Sequence, residues 1–369
     1  MVGRPGDILH MTRALALAER GRGRTSPNPM VGAVVVDDEG VIVGRGAHEF
    51  AGGPHAEIHA LADAGSRARG ATLYCTLEPC SHTGRTGPCA PRVVESRVRR
   101  VVICTEDPNP RVAGRGIEHL RANGIDVTVG VLADEAEELN HSFFSRMRLG
   151  RPLITLKAAL SLDARVAKAR GVRTAMTGPA ANRHIHRERA EIDAIGIGSG
   201  TLLVDDPILT ARGAYRYRPM TRVVFDRRLR TPLTARLLST LSAGPVIIMS
   251  TADAMERAEE HARALEARGA VVESLPASNS STFLEGAVRR LSSCECNSLL
   301  VEGGPALHTA LWNAGLVDRI ELFVTPHVFG PEAPAWDAVP LGAVANLKNR
   351  SAQPLGDDVV IQGYVHRAD

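Results

Sequence analysis

Long apolar segments are missing from this sequence of 369 residues, and no run approaches the roughly 18 to 20 residues that a membrane-spanning helix needs. The N-terminal segment is interrupted by His10, Thr12 and Arg13, so it lacks the continuous apolar core of a secretory signal. We therefore expect a cytoplasmic protein without membrane partners, whose first segment is an amphipathic helix.

Aromatic residues are scarce as well, at 4% of the chain, and the formal net charge is only +3, with acidic and basic residues interspersed. An enzyme that acts on nucleic acid needs a basic channel with aromatic side chains on which bases stack. The composition therefore argues against a nucleic-acid partner and favours a small-molecule substrate. The length predicts two globular domains.

Cysteine is rare too, with six residues in the chain, and without a secretory signal we expect these thiols to be reduced. Cys75 and Cys104 lie within apolar, strand-like runs and are typical of buried structural thiols. Cys80 and Cys89 lie outside such runs. In a reducing compartment, cysteines of this kind more often bind metal or take part in catalysis.

Strand-like and helix-like segments alternate along the chain, which predicts an α/β fold in both halves. In MRLGRP, residues 147–152, a glycine and then a proline follow a helical segment, which is typical of a helix end. We place the domain boundary there, with domains at 1–148 and 152–369. A loop is predicted at 276–283, and 331–357 shows little periodicity.

Helices are predicted at 7–19 and from positions near 55, 88, 116, 133 and 179. Strands are predicted at 30–36, 41–46, 71–76, 99–104, 126–129, 193–198, 221–225, 245–250, 298–302, 319–325 and 358–364. The last of these strands is expected to be antiparallel to its neighbours.

Two nearby segments, GPHAEIHAL and LEPCSHTGRTGPC, match the pattern of the zinc deaminases. In these enzymes one His and two Cys hold the metal, and a Glu two residues after the His transfers protons. His55, Cys80 and Cys89 fit the ligand positions, and Glu57 fits the catalytic one. Two thiolates and one imidazole leave a position on Zn²⁺ for water, whose pKa falls to about 7, so hydroxide forms at neutral pH.

Pro79 directly before Cys80 predicts that Cys80 begins a helix, whose N-terminus favours the thiolate. An alternative is that His55 merely begins a helix and the cysteines form a structural zinc site or none. That alternative requires the residue order, the His-x-Glu spacing and the Glu-Pro-Cys context to coincide by chance. His59 and His82 are further candidate ligands, but His59 lies one turn beyond His55, which is typical of helix surface.

The spacing of the cysteines narrows the family, because eight residues separate Cys80 from Cys89 in place of two. The insert SHTGRTGP, together with SPNPMVGAVVV and EDPNPRVAGRGI, resembles the bifunctional riboflavin-biosynthesis deaminase/reductase family. The resemblance implies a cytidine-deaminase-like, three-layer α/β/α domain. It also implies hydrolytic deamination of a diamino-oxopyrimidine carrying a phosphoribosylamino group, with Asn28, His82 and Arg85 in contact with this substrate.

The second half contains LKAALSLDAR, ERAEIDAIGIGSGTLLVDDPILTAR and LLVEGGPALHTALWNAGLVDRI, which resemble the reductase half of the same family. The resemblance implies a dihydrofolate-reductase-like α/β domain that uses NADPH to reduce the ribosyl group to ribityl. Considered without the resemblance, VEGGP between an apolar run and a helix is typical of a turn that brings phosphate to backbone amides.

Carried over by position, the resemblance also implies the residues that contact both ligands. The expected NADPH contacts are Ala159, Ala175, Thr201, Asp205, Gly303, Gly304 and Pro305. The expected substrate contacts are Arg189, Leu209, Arg212 and Glu302. Two further substrate contacts are expected from the sequence itself, namely Lys157, a polar residue beside an apolar run, and Arg173. Arginine suits the substrate phosphate because its planar fork donates paired hydrogen bonds.

One segment departs from the family pattern, because GVRTAMTG has Arg173 and Ala175 where the family usually has Ser and Trp. Loss of the aromatic side chain would weaken NADPH binding, and Arg173 would add a phosphate contact or block one. A second hypothesis is therefore a C-terminal domain that binds a nucleotide without catalysis and regulates or assembles the deaminase.

A third hypothesis is a nucleoside or nucleic-acid deaminase, since those enzymes share the His-x-Glu and Pro-Cys patterns. The scarcity of aromatic residues and the balanced charge argue against the nucleic-acid form. We further expect the chain to form a homo-oligomer.

Overall fold

The structure of the protein is a computed structural model that describes residues 4, 6–81, 87–110 and 112–366, without the side chain of residue 341. The chain divides into two compact units, Met1–Leu149 and Gly150–Asp369. Within the described ranges, every helix is too short or too polar to cross a bilayer.

The first unit contains one mixed sheet and the helices that cover it. Its strands are β1 (Gly32–Val36), β2 (Ile42–Ala47), β3 (Thr72–Cys75), β4 (Arg100–Ile103) and β5 (Asp126–Val129). Its α-helices are α1 (Asp7–Ala18), α2 (Ala56–Ala64), α3 (Cys89–Glu95), α4 (Arg115–Ala122), α5 (Ala133–Leu139) and α6 (His141–Leu149). Short 3-10 helices lie at Glu19–Gly21 and Gly65–Ala68.

The sheet has the strand order β2-β1-β3-β4-β5, with β1 antiparallel to both neighbours and the remaining pairs parallel. Successive side chains point to opposite faces, and both faces are buried. Val35 and Leu73 pack with side chains of α2, α3 and α4, whereas Val34 and Tyr74 pack with those of α1. Helices therefore cover both faces, which confirms the predicted three-layer α/β/α arrangement.

The second unit contains a larger sheet. Its strands are β6 (Leu153–Ser161), β7 (Ala194–Gly198), β8 (Thr221–Phe225), β9 (Val246–Thr251), β10 (Val271–Leu275), β11 (Ser298–Val301), β12 (Arg319–Thr325), β13 (Lys348–Leu355) and β14 (Asp358–Tyr364). Its α-helices are α7 (Pro179–Glu191), α8 (Ser199–Asp205), α9 (Ala252–Arg257), α10 (Glu259–Ala267), α11 (Ser280–Ser293), α12 (Pro305–Asn313) and α13 (Leu341–Ala345). A 3-10 helix spans Arg236–Ala243.

This sheet has the order β10-β9-β8-β7-β11-β6-β12-β14-β13 and is parallel from β10 to β12. The last two strands are antiparallel, so the prediction for 358–364 is confirmed. Helices α11 and α12 pack on one face of the sheet, and helices α7, α8 and α10 pack on the other. The predicted α/β fold class is therefore confirmed for this half too.

Two segments predicted to lack regular structure contain it. Within 276–283, helix α11 begins at Ser280, because the side chain of Asn279 accepts a hydrogen bond from the amide of Thr282 and so caps the helix. Within 331–357, helix α13 is followed by strand β13, which pairs with β14. A polar sequence concealed the start of α11, and a segment rich in Pro, Ala and Gly concealed α13 and β13.

Strand β13 forms one edge of the larger sheet. Its residues from Lys348 to Pro354 are all exposed, and its pairing with β14 shifts register between Lys348 and Ser351. The edge is therefore polar and irregular.

Candidate functional site

One edge of the first sheet gathers the predicted deaminase residues. Strands β3 and β4 are parallel and both end at this edge. Because β1 is antiparallel to β2 and β3, β1 begins and β2 ends there as well. Helix α2 starts directly after His55, whose extended backbone forms the N-cap. The topology thus brings segments adjoining four strands to one place.

His55, Cys80 and Cys89 lie together at this edge. The Nδ1 atom of His55 is 3.1 Å from the sulfur of Cys89 and 3.5 Å from that of Cys80. All three potential ligand atoms lie within 4.8 Å of one another, and no further His, Cys, Asp or Glu among the described residues completes the group. Two sulfurs and one imidazole nitrogen are a donor set that suits zinc.

The two thiols are buried and interact with each other. A hydrogen bond with Cys89, followed by one with His55, lowers the pKa of Cys80, so this thiol is readily deprotonated. The prediction that Cys80 begins a helix is wrong, because the chain is irregular there and Cys89 is the first residue of α3. The helix N-terminus therefore lies at the second cysteine.

Glu57 lies in the first turn of α2 and is 3% exposed. Its Oε2 atom has no hydrogen-bond partner within the described structure. Burial, reinforced by the charge of Cys80, raises the pKa of Glu57 to about 7, although His55 opposes the change. A carboxyl group with a pKa near neutrality can both accept and return a proton.

Glu78 holds the segment that leads to Cys80. Its carboxylate accepts hydrogen bonds from the backbone amides of Gly116 and Ile117 in the first turn of α4, at 2.8 and 3.3 Å. It also accepts one from the amide of Asp107 at 3.2 Å. A carboxylate at a helix N-terminus satisfies amides that have no partner within the helix. These contacts therefore connect the segment after β3 both to the loop that follows β4 and to helix α4.

Asn28 is connected to the group of His55, Cys80 and Cys89 through His48, which the sequence did not single out. The Nδ2 atom of Asn28 is 3.2 Å from Nε2 of His48, whose Nδ1 is 3.0 Å from the carbonyl oxygen of Pro54. The His48 ring packs edge-on against that of His55, with 5.3 Å between centroids. Burial lowers the pKa of His48, which favours a neutral ring that accepts a hydrogen bond from Asn28.

Asp107 is a second residue that sequence reasoning missed. It follows β4 and is buried, and it accepts a hydrogen bond from the amide of Asn109 at 2.8 Å. Burial raises the pKa of Asp107 to about 7, and the charges of Cys80 and His55 also act on it. The only sequence signal was its place in EDPNP directly after a strand. His82 and Arg85 lie outside the described residues.

In the second unit, Lys157, Arg189 and Glu302 form a largely buried ion-pair group. Arg189 donates two hydrogen bonds to Glu302, at 2.7 and 2.6 Å, and the Nζ atom of Lys157 lies 3.8 Å from the same carboxylate. Burial would raise the pKa of Glu302, but Arg189 and Lys157 lower it to about 2. Predicted residues from β6, α7 and the end of β11 are thus brought together.

Arg212 lies beside this group. Its backbone amide is 3.2 Å from Nδ1 of His186, and burial, then the charges of Arg189 and Arg212, lower the pKa of His186. Leu209 differs, because its side chain is buried in the core and its φ is 55°. Its backbone is therefore the part that can contact a ligand.

The predicted cofactor turn lies where adjacent parallel strands β7 and β11 end. Helix α8 begins after Gly198, and α12 begins at Pro305 after Gly304. The amide of Gly304 donates to Oγ1 of Thr201 at 2.9 Å, and a Cβ on Gly303 would lie 3.8 Å from the amide nitrogen of Gly198. Closely approaching glycines at the ends of parallel strands suit a phosphate-bearing cofactor.

Arg173 and Ala175 are exposed in the irregular segment before α7. Burial raises the pKa of Asp205, and the charge of Arg173 opposes this change, so these two residues lie near each other. Ala159, on β6, is half-buried and packs against the cluster around Phe323. The structure therefore places Arg173 near Asp205 and leaves Ala175 on the surface.

Two family models match the chain, one in each half. Residues 6–105 match the cytidine and deoxycytidylate deaminase zinc-binding region, and residues 152–361 match the RibD C-terminal domain. The predicted zinc and NADPH cofactors are those of these two domain types.

Similar proteins match along nearly the whole length. Riboflavin biosynthesis protein RibD of Aquifex aeolicus is 41% identical over 96% of this chain and 97% of its own. RibD of Escherichia coli is 40% identical over 96% of this chain and 98% of its own. The solved structure of Acinetobacter baumannii RibD, form 1, is 34% identical, covers 98% of this chain and 99% of its own, and has a TM-score of 0.85.

These matches favour a bifunctional enzyme over the nucleic-acid deaminase and the regulatory module. The chain belongs to the RibD family of riboflavin-biosynthesis enzymes, which join a zinc-dependent deaminase to an NADPH-dependent reductase.

Proposed function

We propose that the first unit deaminates a diamino-oxopyrimidine carrying a phosphoribosylamino group, and that the second unit then reduces the ribosyl group to ribityl. The observation that carries this proposal is the cluster of His55, Cys80 and Cys89. The buried carboxyl group of Glu57 lies two residues after His55, in the first turn of α2. The reductase assignment is supported by the group formed by Lys157, Arg189 and Glu302.

In the deaminase, we assign His55, Cys80 and Cys89 as the zinc ligands. Zinc, when bound, lowers the pKa of water to about 7 and makes hydroxide available at neutral pH. The unpartnered Oε2 of Glu57 takes one proton from water and gives it to the ring nitrogen, and it then carries the second proton of that water to the leaving amine. Oxygen thus replaces nitrogen on the ring, and ammonia leaves.

Asn28, His48 and Asp107 are proposed to orient the pyrimidine. The amide nitrogen of Asn28 is held by His48, which leaves its carbonyl oxygen to accept from a substrate N–H. Asp107 is buried with its carboxyl group within electrostatic reach of the metal ligands. His82 and Arg85 are proposed to contact the base or the phosphate.

In the reductase, we assign the turn of Gly303, Gly304 and Pro305, with Thr201 and Asp205, to the cofactor, and Ala159 and Ala175 as its further contacts. NADPH, when bound, supplies the hydride for C1′ of the opened ribosyl group. Backbone amides at the start of α12 suit the cofactor phosphates.

Arg189 and Arg212 are proposed to hold the substrate phosphate, with the backbone of Leu209 and with Arg173 as further contacts. Glu302 keeps Arg189 in place through two hydrogen bonds. The ammonium of Lys157 is held by the same carboxylate, so it is available to donate the proton that accompanies the hydride.

The test is the mass of the product after the purified chain is incubated with the diamino-oxopyrimidine ribotide, with and without NADPH. We expect exchange of one amino group for oxygen in both samples and addition of two hydrogens only with NADPH. Deamination without added hydrogens would leave the second unit as a non-catalytic module. Failure of both reactions would reject the substrate.

We further propose that the chain acts in the cytoplasm as a homo-oligomer, without nucleic-acid or membrane partners. The scarcity of aromatic residues and the balanced charge support the exclusion of nucleic acid. Sedimentation velocity of the zinc-loaded chain tests the oligomer, and a single species at the monomer mass would reject it.

A further inference from the structure

A second group of metal-binding side chains lies in the second unit, between helix α7 and strand β12. His184 and Glu188 are four residues apart on α7, so they share one face of the helix. Glu321 lies on β12. One nitrogen of His184 and one carboxylate oxygen of each glutamate lie within 4.8 Å of one another.

The carboxyl group of Glu321 is buried beside that of Glu188. The residue is 0% exposed, and in the described part of the chain no N–H or hydroxyl group donates to its oxygens, so its hydrogen-bonding neighbour is the carboxyl group of Glu188. The Nε2 atom of His184 lies 3.4 Å from Oε1 of Glu321. Two neighbouring carboxyl groups away from water are costly when both are ionised, so this pair needs either a shared proton or a bound cation.

Glu188 adds a second carboxylate to the same place. No N–H or hydroxyl group in the described structure donates to its Oε2 atom either, and its Oε1 atom is 3.6 Å from Nη1 of Arg319. Arg319 also donates to the side chain of Gln362. Lys157 is the register partner of Glu321 on β6, but its ammonium contacts the carboxylate that holds Arg189.

One arginine therefore faces the buried carboxylate of Glu321, the partly exposed carboxylate of Glu188 and an imidazole, which leaves two oxygens and one nitrogen for a ligand. We propose that His184, Glu188 and Glu321 bind a divalent transition-metal ion such as Zn²⁺ or Mn²⁺. Imidazole nitrogen and carboxylate oxygen are donors that both ions accept. Bond lengths of about 2.0 to 2.2 Å place two ligand atoms at most about 4.4 Å apart, so small side-chain movements close the site.

The ion connects α7 to strand β12 of the sheet. One of its ligands, Glu188, directly precedes Arg189 in the sequence. The helix packs there through Ala181 and Ile185 against Phe323 of β12, and the ion adds a polar attachment one turn further along. This site is separate from the thiolate cluster and goes beyond the proposed function, and neither proposal rests on the other.

The test uses the full chain carrying one equivalent of zinc, which the thiolates hold, and measures Mn²⁺ binding by the loss of the free Mn²⁺ electron paramagnetic resonance signal. We expect one Mn²⁺ to bind per wild-type chain. Glu321→Gln and Glu188→Gln are each expected to weaken binding by at least about tenfold, as removal of metal-site groups commonly does. Glu191→Gln, an exposed position on the same helix, is the matched control.

Thermal unfolding separates loss of the ligand from loss of the fold. With chelator present, the Glu321→Gln chain is expected to unfold at or above the wild-type midpoint, because a buried charge is removed. Added Mn²⁺ is expected to raise the midpoint of wild type and Glu191→Gln but not of Glu321→Gln. If wild type binds neither Mn²⁺ nor a second equivalent of zinc, or if Glu321→Gln binds equally well, the proposal is wrong, whatever the deaminase assay shows.

Discussion

A Cβ atom on Gly116 would stand 1.9 Å from the carbonyl oxygen of Pro79. Helix α4 therefore packs directly on the backbone of the residue before Cys80. The same helix turn donates amide hydrogen bonds to Glu78. The position of one proposed zinc ligand thus depends on a glycine that lies far from it in the sequence.

Gly116→Ala is expected to displace Pro79 and Cys80, because the added methyl group overlaps the backbone carbonyl of Pro79. Zinc affinity should fall by about 10- to 100-fold, with a parallel loss of deaminase activity. Zinc competition with a chromophoric chelator measures the affinity. Gly342→Ala, where a Cβ meets nothing within 4 Å, should leave both properties unchanged. Equal zinc affinity in the two variants would contradict the packing argument.

Glu57→Gln is expected to abolish proton transfer without loss of the metal. Deaminase turnover should fall by about 10²- to 10⁴-fold, while zinc content stays at the wild-type level. Reduction of already deaminated substrate is measured in the same preparation and should be unchanged. Glu49→Gln, at an exposed position shortly before the site, is the control. Wild-type turnover in Glu57→Gln would reject the assigned role.

The buried ion pair of Asp7 and Arg100 is expected to carry much of the stability of the first unit. Arg100 donates two hydrogen bonds to Asp7, both at 2.8 Å, and the two side chains are 4% exposed or less. Asp7→Asn leaves the buried guanidinium with the half-exposed carboxylate of Asp126, 3.6 Å away, as its remaining acidic partner. Removal of one partner of a buried ion pair typically costs about 3 to 5 kcal/mol. Urea unfolding of the first unit measures the loss.

Asp38→Asn is the matched control for that experiment. Its ion pair with Arg99 is as short, at 2.7 Å, but both side chains are well exposed. Exposed pairs contribute less than about 1 kcal/mol. Similar losses in Asp7→Asn and Asp38→Asn would show that burial does not decide the effect.

The stability of the second unit is expected to fall at acidic pH, because Glu302 becomes protonated there. Its pKa of about 2 lies below the ordinary value of 4.5, despite burial, because of Arg189 and Lys157. The ionised form therefore stabilises the fold fully above about pH 4.5, and this contribution is lost as the pH falls towards about 2. The difference between the two pKa values corresponds to roughly 3 kcal/mol in the free energy of unfolding.

Denaturant unfolding of the second unit between these two pH values tests this prediction. Wild type should lose stability more steeply than Glu302→Gln, whose side chain does not titrate. If the free energy of unfolding falls with pH equally in the two proteins, Glu302 does not bind protons over this range.

Where the pattern is local, the sequence singled out residues that the structure brings together. His55 and Glu57 share one helix turn, and the Pro-Cys pattern marks Cys80 at the end of a strand. His48 and Asp107 were missed, because they reach the site only through the pairing of β2 with β1 and of β4 with β3. Such contacts follow from strand order, which local patterns do not contain.

The errors in secondary structure have a similar cause. Asn279 was interpreted as part of a loop, although Asn is also a favoured N-cap, and Thr282 completes the cap of α11. Strand β13 has no buried face, so its formation depends on hydrogen bonds to β14 and not on apolar alternation. The group of His184, Glu188 and Glu321 joins positions more than a hundred residues apart, and no sequence spacing identifies it.

The exposed edge formed by β13 affects the tendency of the protein to aggregate. An open strand edge is a template on which another chain can add by backbone hydrogen bonding and begin an amyloid-like stack. Here Lys348 and Arg350 place positive charge along the edge, Pro354 lacks an amide hydrogen, and the register shift bends the strand. These features of the edge oppose fibril growth.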